Sequence, residues 1–377
     1  MRFFQGRTGL AALLAIMLGS PLPAPPATAQ DAIATGDPET TGVGVPLDSG
    51  PSTDTLGDNT NPDPGPDPAW IITVQFSNDI FGSSDRHFTH GTRFSALSPD
   101  NYVPDIIERA GKALPMFPED GNLRVTYSLG QEIFTPERIE ERDLIEDDRP
   151  YAGWTYAGVG LVSENGDRLD NLELNLGIVG PASLADKTQI EYHKLINVQV
   201  PEGWDNQLHN EPGIVIYYER KWRNLWGVTV SELPVLDELA VDLTPHLGGA
   251  LGNVYTYGAG GVMLRLGEDL PDDYGPPRLR PALPGSDYFR PDDWFGWYFF
   301  GGAEGRVVLR NIFLDGNTFR DSHSVDKYPM VLDLQAGLAV TLGERFRIAY
   351  THLWRTKEYR EQDAPDQFGT LSLSVRF

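Results

Sequence analysis

Two short polar clusters in this sequence contain side chains that could do chemistry together. Asn78 and Asp79 are adjacent and offer hard oxygen atoms of the kind that Ca²⁺ takes as ligands. Histidine is the residue type that most readily exchanges a proton near neutral pH, and His193 is such a residue. Gln189 precedes His193 by one helical turn. A helix would place both side chains on one face, where the amide could orient the imidazole or a water.

Each of these features also has an ordinary structural explanation. An Asn-Asp pair at the end of a strand commonly caps a turn. A single histidine on a loop helix is commonly a solvated surface residue. Arg149, between Asp148 and Pro150, would by default form a salt bridge that ties its loop to neighbouring carboxylates. The residue types alone therefore leave both interpretations open.

The composition excludes several classes of function. The 377 residues include 30 Lys and Arg against 54 Asp and Glu, a formal charge of −24. Nucleic-acid binding needs clustered basic residues, so this acidity argues against such a partner. The absence of Cys excludes thiol catalysis and Cys-based zinc sites. With 40 Gly and 30 Pro, the chain suits a fold with many turns.

The chain divides into three parts. Residues 1–29 have a basic start, a short apolar stretch and a small-residue end, the pattern of a cleaved secretory signal peptide. Residues 30–68 contain many Asp and Pro and no basic residue, so we expect a disordered linker. Residues 69–377 have the composition of a folded domain and contain no apolar stretch long enough for a membrane helix.

From Trp70 onward the apolar residues recur with a period of two. Residues 370–377 alternate strictly between apolar and polar and end on Phe377, which resembles the closing strand of bacterial outer-membrane barrels. Twelve such segments predict a twelve-stranded antiparallel transmembrane β-barrel. They lie near 70–77, 87–97, 122–134, 151–163, 169–179, 213–223, 238–251, 254–266, 295–308, 329–342, 345–355 and 367–377.

The connections between strands carry further predictions. The turns at Gly252-Asn253 and Gly343-Glu344 are short, as periplasmic turns are. Helical spacing predicts short helices over Val103–Leu114 and Leu184–Val198, and we expect them on extracellular loops at the barrel mouth. Gln131, together with its neighbour Glu132, would brace the lumen.

Four clusters, in order, resemble the lipid A 3′-O-deacylase (LpxR-type) family of outer-membrane enzymes. The resemblance implies a twelve-stranded barrel in the bacterial outer membrane that hydrolyses an ester-linked acyl chain of lipid A. In that family a histidine activates water and a bound Ca²⁺ stabilises the oxyanion. The clusters are Asn78-Asp79 with Thr89-His90-Gly91, then 130–136, then Asp148-Arg149-Pro150-Tyr151-Ala152-Gly153, and finally Gln189 to His193 with 203–212.

The same resemblance implies a role for each matching residue. Asn78 and Asp79 would hold or orient the Ca²⁺, Thr89 would line the oxyanion position, and His193 would be the general base, assisted by Gln189. Arg149 and Tyr151 would support the site or contact the substrate. Lys194 would contact a lipid A phosphate.

Two other classes of protein fit the pattern less well. A non-enzymatic barrel, such as a porin or a structural protein, would use the same clusters only to brace its lumen. A secreted soluble β-sandwich that binds glycans would show the same alternation. For the enzyme we expect lipid A or lipopolysaccharide as partner, together with outer-membrane lipids, and a monomeric state.

Overall fold

A computed structural model describes residues 53–55, 67–82, 87–100, 102–118, 121–231, 238–268, 270–277, 287–291 and 293–377. All of them belong to one compact unit, Ser49–Phe377. The predicted signal peptide lies outside the described residues, as does most of the predicted linker. Within that linker segment, Thr53–Thr55 forms a short strand beside residues 228–230.

Twelve antiparallel strands form a closed barrel, which confirms the predicted fold class and strand count. The last strand pairs with the first, from Gly369 opposite Asn78 to Arg376 opposite Ile71. The strands are β1 Ile71–Asn78, β2 His87–Leu97, β3 Asn122–Thr135, β4 Ala152–Asn165, β5 Arg168–Val179, β6 Glu211–Trp222 with its continuation Trp226–Ser231, β7 Glu238–Gly252, β8 Tyr255–Glu268, β9 Phe295–Asn311, β10 Met330–Leu342, β11 Phe346–Arg355 and β12 Asp366–Arg376.

The period-two pattern sorts side chains between lumen and outer wall. On β1, Ile71, Thr73, Gln75 and Ser77 are buried, whereas Ile72 is 41% exposed. Because successive strand residues point to opposite faces, the buried set faces the lumen. Phe76 and Asn78 share the outward face with Ile72.

The two ends of the barrel differ. The terminal rim contains the start of β1 and the end of β12, where Trp70 and Phe377 exchange backbone hydrogen bonds. The loop rim is the opposite end, at Asn78 and Glu211. Helix α1 (Asp105–Lys112) lies in the connection between β2 and β3, at the terminal rim. Our prediction of both helices at one mouth was therefore wrong for this one.

The turn at Gly252-Asn253 also lies at the other end from the one predicted. It joins β7 to β8 at the loop rim, whereas Gly343 lies at the terminal rim. Short spacing specifies a tight turn but carries no information about the rim on which it lies. Helix α3 (Ile312–Asp315) also lies at the loop rim. Among the described residues, no helix is long and apolar enough to cross a membrane.

Side chains fill the lumen near both rims. Near the terminal rim, Tyr274, Tyr288 and Phe289 from the connection between β8 and β9 pack against Ile71 and Leu97. Near the loop rim the ring of Phe313 on α3 stacks on Phe134 with centroids 4.0 Å apart. Packed apolar clusters of this kind are typical of a filled barrel and not of a water-filled porin.

A buried carboxylate attaches the start of the barrel domain. Asp67 is fully buried and accepts hydrogen bonds from Arg376 at 2.6 Å and from Arg124 at 3.4 Å. Burial raises the pKa of Asp67, but the Ala69 N–H and the two guanidinium charges outweigh it. The net pKa therefore lies below the ordinary value of 3.8.

We predict that Asp67→Asn lowers the free energy of unfolding at pH 7 by about 2 kcal/mol, because a charge-assisted pair is lost. Since the folded-state pKa is depressed, the stabilisation is present above the unfolded-state pKa and is lost as pH falls through the folded-state pKa. Denaturant titration of the barrel in lipid vesicles at several pH values measures this.

The control is Asp326→Asn, whose exposed partner Arg360 lies 4.0 Å away. A solvent-exposed pair of this kind contributes little, so its loss should leave stability almost unchanged. Equal effects of the two substitutions would contradict the account of Asp67.

Candidate functional site

Helix α2 (Ala185–Ile196), in the connection between β5 and β6, lies against the outside of the barrel wall. Its residue Ala185 packs with Ile133, an outward-facing residue of β3 that is fully buried. A full side chain at Gly153 on β4 would collide with Ala185 and Ser183, so the absence of a side chain there permits the close approach. The helix therefore covers a patch of wall that would otherwise face lipid.

Two outward polar residues anchor this helix. The Gln131 amide donates to the carbonyl of Ser183 at 2.8 Å, and the Thr155 hydroxyl donates to the same carbonyl at 2.8 Å. Our expectation that Gln131 braces the lumen was wrong, because strand alternation turns it outward. Glu132, its neighbour, does face the lumen, where Tyr255 donates to it at 3.2 Å.

One face of α2 carries the predicted pair. Ala185, Gln189 and His193 are its buried residues, one helical turn apart, as the spacing predicts. Lys194 lies on the exposed side, where its ammonium pairs with Glu191 at 2.8 Å. The two predicted helix residues thus point at the barrel wall, whereas Lys194 points away from it.

The imidazole of His193 is held in one tautomer. Asn197, at the C-terminal cap of α2, adopts the left-handed conformation that asparagine tolerates, with φ of 56°, and turns the chain back. This brings the carbonyl of Gln199 to 2.5 Å from Nδ1 of His193. A carbonyl only accepts, so Nδ1 carries a hydrogen, and in the neutral ring the lone pair lies on Nε2. His193 is only 3% exposed, so its imidazole is buried between α2 and the barrel wall.

Gln189 is oriented by a residue that our sequence reasoning gave no role. The indole of Trp204 donates to Oε1 of Gln189 at 2.9 Å. This fixes the amide and leaves Nε2, a buried donor, with no hydrogen-bond partner among the described residues. A buried donor without a partner is costly, which makes it a candidate contact for a bound ligand.

The remaining predicted residues lie at the loop-rim ends of β1 and β2. The amide nitrogen of Asn78 donates to the backbone carbonyl of Thr89 at 2.7 Å. Thr89 occupies an irregularity in the pairing of β2 with β3, and its hydroxyl lies 2.7 Å from that of Thr135. Asp79 begins the short 3-10 turn Asp79–Gly82 and is 2% exposed. The structure thus brings Asn78 and Thr89 into direct contact.

Tyr192 links the two halves of the site. Its ring lies 6.0 Å from that of His90 and 6.3 Å from that of Phe76, both outward residues on β2 and β1. His90 pairs with Asn78 across the strands. From Ala185 to Tyr192 the helix rises about 10 Å, about two strand spacings, so it runs from β4 to the β1–β2 end.

His193 directly follows Tyr192, so it lies at the end of α2 that is closest to Asn78 and Asp79. Sequence reasoning had no means of finding this arrangement, because it depends on which face of the wall the helix covers. The aromatic spacing around His90 and Tyr192 gave no signal, since aromatics are common in strands and at barrel rims.

Arg149 and Tyr151 brace loops at the loop rim, and Arg149 does so on the lumen side, where its guanidinium lies over the Phe134 ring. Arg149 is 1% exposed, and its guanidinium lies 3.5 Å from Glu358. Tyr151 donates to the carbonyl of Ile139 at 3.2 Å and packs its ring 4.9 Å from Trp204. Arg149 thus joins two loops, as the default salt bridge predicts, although its partner is distant in sequence.

A buried hydrogen-bond chain lies on the lumen side of the same strands. Nδ1 of His87 lies 2.6 Å from Asp366, and the hydroxyl of Tyr359 bridges Nε2 of His87 at 2.8 Å to Asp148 at 2.5 Å. Burial and the neighbouring Asp148 raise the pKa of Tyr359. His87 is non-glycine with φ of 67°, a strained conformation that this chain holds in place.

We predict that Gly153→Val displaces α2 from the wall, since overpacking at this close contact costs about 1–3 kcal/mol. Amide hydrogen exchange within α2 should rise by about tenfold, while heat-modifiable gel mobility still reports a folded barrel. Gly305→Val is the control, because a side chain there meets nothing within 4 Å. Unchanged exchange in Gly153→Val would contradict the placement of α2.

Comparisons with known proteins agree with this architecture. A family model described as outer membrane protein LpxR matches residues 21–377. The structure of LpxR from Salmonella typhimurium matches with a TM-score of 0.64 and 18% identity, covering 82% of this chain and 100% of that one. A comparison with curated proteins found no significant match.

More distant barrels match with low scores. The β domain of the Bordetella autotransporter BrkA covers 83% of this chain and 98% of its own, with a TM-score of 0.36 and 11% identity. That score is too low to support any argument about function. Since the family model spans most of the sequence and the fold agrees, this chain belongs to the LpxR family of outer-membrane β-barrel proteins.

Proposed function

We propose that this protein is a lipid A deacylase that hydrolyses an ester-linked acyl chain, the 3′-O chain, of lipid A in the outer membrane. Membership of the LpxR family supports the substrate class. The observation that carries the proposal is the buried imidazole of His193 on the outer wall, whose Nδ1 is bonded to the Gln199 carbonyl, at the end of α2 that lies towards Asn78 and Thr89.

The position of His193 suits a lipid substrate. It lies between α2 and the membrane-facing wall, so an ester group can approach sideways from the bilayer without entering the lumen. The packed clusters near both rims weigh against the alternative of a porin, although a purely structural barrel remains a rival that activity measurements decide.

The chain's own residues suffice for the proton transfers. Nε2 of His193 takes a proton from water, whose oxygen attacks the ester carbonyl carbon. The imidazolium then returns the proton to the departing sugar oxygen, which yields a fatty acid and a free hydroxyl. The Gln199 carbonyl, bonded to Nδ1–H, stabilises the charged ring throughout. The buried amide of Gln189 supplies a donor towards the reacting group.

The oxygen ligands that Asn78 and Asp79 offer at the end of β1 suit Ca²⁺. No group of three or more His, Cys, Asp or Glu side chains suited to a metal occurs in the described part of the chain. An ion would therefore be held by the Asp79 carboxylate, Asn78 and backbone oxygens, which are hard ligands that suit Ca²⁺ better than a transition metal. With one carboxylate ligand, bound Ca²⁺ would supply net positive charge to a developing oxyanion.

Contacts with the lipid A phosphates would come from basic residues at the rim of the pocket. Lys194 already pairs with Glu191, so a phosphate would compete for it. Lys187, on the same helix, is exposed and has no ion-pair partner in the described part of the chain. One chain supplies every group named here, which suits a monomeric enzyme.

We predict that His193→Ala lowers acyl release from lipopolysaccharide by about 10²- to 10⁴-fold, because general-base catalysis is lost. Mass spectrometry of the lipid product measures this. His209→Ala is the matched control, since His209 is exposed and its named hydrogen bonds come from its backbone. Equal release by the wild type and His193→Ala, or none from either, would favour the structural barrel.

Removal of Ca²⁺ with a chelator should abolish release, and added Ca²⁺ should restore it. Asp79→Asn should raise the Ca²⁺ concentration needed for half-maximal release by about tenfold or more, because the single carboxylate ligand becomes neutral. Full activity in chelator, with an unchanged Asp79→Asn variant, would refute the metal part of the proposal.

A further inference from the structure

The outer wall below the candidate site offers two lanes, that is, rows of outward-facing side chains along which an acyl chain could lie. Asn78 lies at the loop-rim end of both lanes. The pairing of the strands identifies the outward residues that line each lane below it. One lane runs between β12 and β1, where Gly369 pairs with Asn78 and Leu371 pairs with Phe76. The other runs along β2, where Asn78 pairs with His90 and Phe76 pairs with Thr92.

The first lane is closed at its head. Phe81 lies over Gly369, since a side chain added there would meet the Phe81 Cβ at 2.5 Å. The ring of Phe81 also packs 5.9 Å from Tyr350 on β11 and 6.4 Å from Phe76. These aromatic contacts fill the space beside β12, so a chain leaving the site cannot start along it.

The second lane is open. Below His90 stands Thr92, a small residue between Phe76 on β1 and Gln131 on β3. Below Thr92 stands Phe94, which is 51% exposed and lies between Val74 and Leu129. Because Thr92 is smaller than Phe76, Gln131 and Phe94, we expect the wall to be recessed at Thr92, with the Phe94 ring below.

Thr92 and Gln131, the polar side chains over which the chain would lie, are paired within the protein, whereas Nδ1 of His90 at the head of the lane is buried without a hydrogen-bond partner among the described residues. The Thr92 hydroxyl lies 2.8 Å from Nε2 of His90, and the Gln131 amide donates to Thr155 and to Ser183. A hydrocarbon chain can therefore lie over Thr92 without leaving these groups unpaired. Above, the His90 and Tyr192 rings, 6.0 Å apart, form the head of the lane.

We propose that the recess over Thr92, with Phe94 as its floor, holds the acyl chain to be removed and sets its preferred length. The inference rests on the proposed deacylase function and assigns the chain-length specificity of that same site. The occupant is a hydrocarbon chain, because the lane lies on the lipid-facing wall, and Phe94 marks the lower end of the lane. From Asn78, at the level of His90, to Phe94 the wall descends four residues, about 13 Å along the strand.

Two substitutions change the lane in opposite directions. Thr92→Phe fills the recess and should shift release towards shorter chains. Phe94→Ala removes the floor and should shift it towards longer ones. Because the chain comes from lipid and not from water, only packing contacts change, so each two carbons that gain or lose contact should change the relative rate by about threefold. The substrates are lipid A esters whose acyl chain lengthens by two carbons at a time, presented together in vesicles, with released fatty acids measured by mass spectrometry.

Matched variants separate size from other effects. Thr92→Val keeps the volume but removes the hydroxyl, so its chain-length profile should stay that of the wild type. Leu334→Ala truncates an outward residue on β10 that is 49% exposed, and should likewise keep the profile. Heat-modifiable mobility verifies that each barrel is folded.

The outcomes distinguish the two proposals. No fatty acid release by the wild type would overturn the deacylase function itself. Release by the wild type, with an identical chain-length profile in Phe94→Ala and Thr92→Phe, would overturn the lane and leave the function standing. Should Thr92→Phe fail to fold, the profile of Phe94→Ala alone decides.

Discussion

Polar groups on a membrane-facing wall need partners inside the protein, and this constraint explains the position of α2. In hydrocarbon no water is available, so each unsatisfied polar group costs several kcal/mol. Asn78, Thr89, Gln131 and Thr155 all face outward near the loop rim, and each finds a partner in the neighbouring backbone or side chains. The loop between β5 and β6 supplies the cover and some of these partners, and the same cover buries His193.

A filled lumen is the second condition for an outward site. Buried charges there occur in compensated groups, such as Asp333 with Arg306 at 2.7 Å and with Arg355 at 2.9 Å. Such groups make the barrel interior a rigid support and not a passage. The wall that carries Asn78 and Thr89 is therefore backed by packed side chains, including the hydrogen-bond chain from His87 to Asp148, while its outward face, which carries the candidate site, points to lipid.

The sequence predicted the barrel well because the patterns that identify a strand or a helix face extend over only a few neighbouring residues. Alternation over eight residues is enough to predict a strand, as at residues 370–377, and an i, i+4 spacing places Gln189 and His193 on one helical face. It failed where the outcome depended on position in three dimensions. The rim of α1, the outward direction of Gln131 and the pairing of Arg149 with Glu358 follow from strand register and loop packing, which no short pattern encodes.

The same contrast between local pattern and three-dimensional position holds for the candidate site. Residue types and their order identified Asn78, Asp79, Thr89 and His193 as candidates, but they did not predict the contacts that orient the side chains of the site. Trp204 orients Gln189, the Gln199 carbonyl sets the tautomer of His193, and Tyr192 joins α2 to β1 and β2. Each of these depends on the docking of α2 against the outer wall.

Cross-linking in the native membrane tests that docking most directly, because the sequence contains no cysteine to interfere. A chain carrying His90→Cys and Tyr192→Cys should form an intramolecular disulfide or react fully with a short bifunctional thiol reagent, seen as a shifted band on a non-reducing gel. Two cysteines that both react with a maleimide yet never cross-link would place α2 away from the wall and contradict the account.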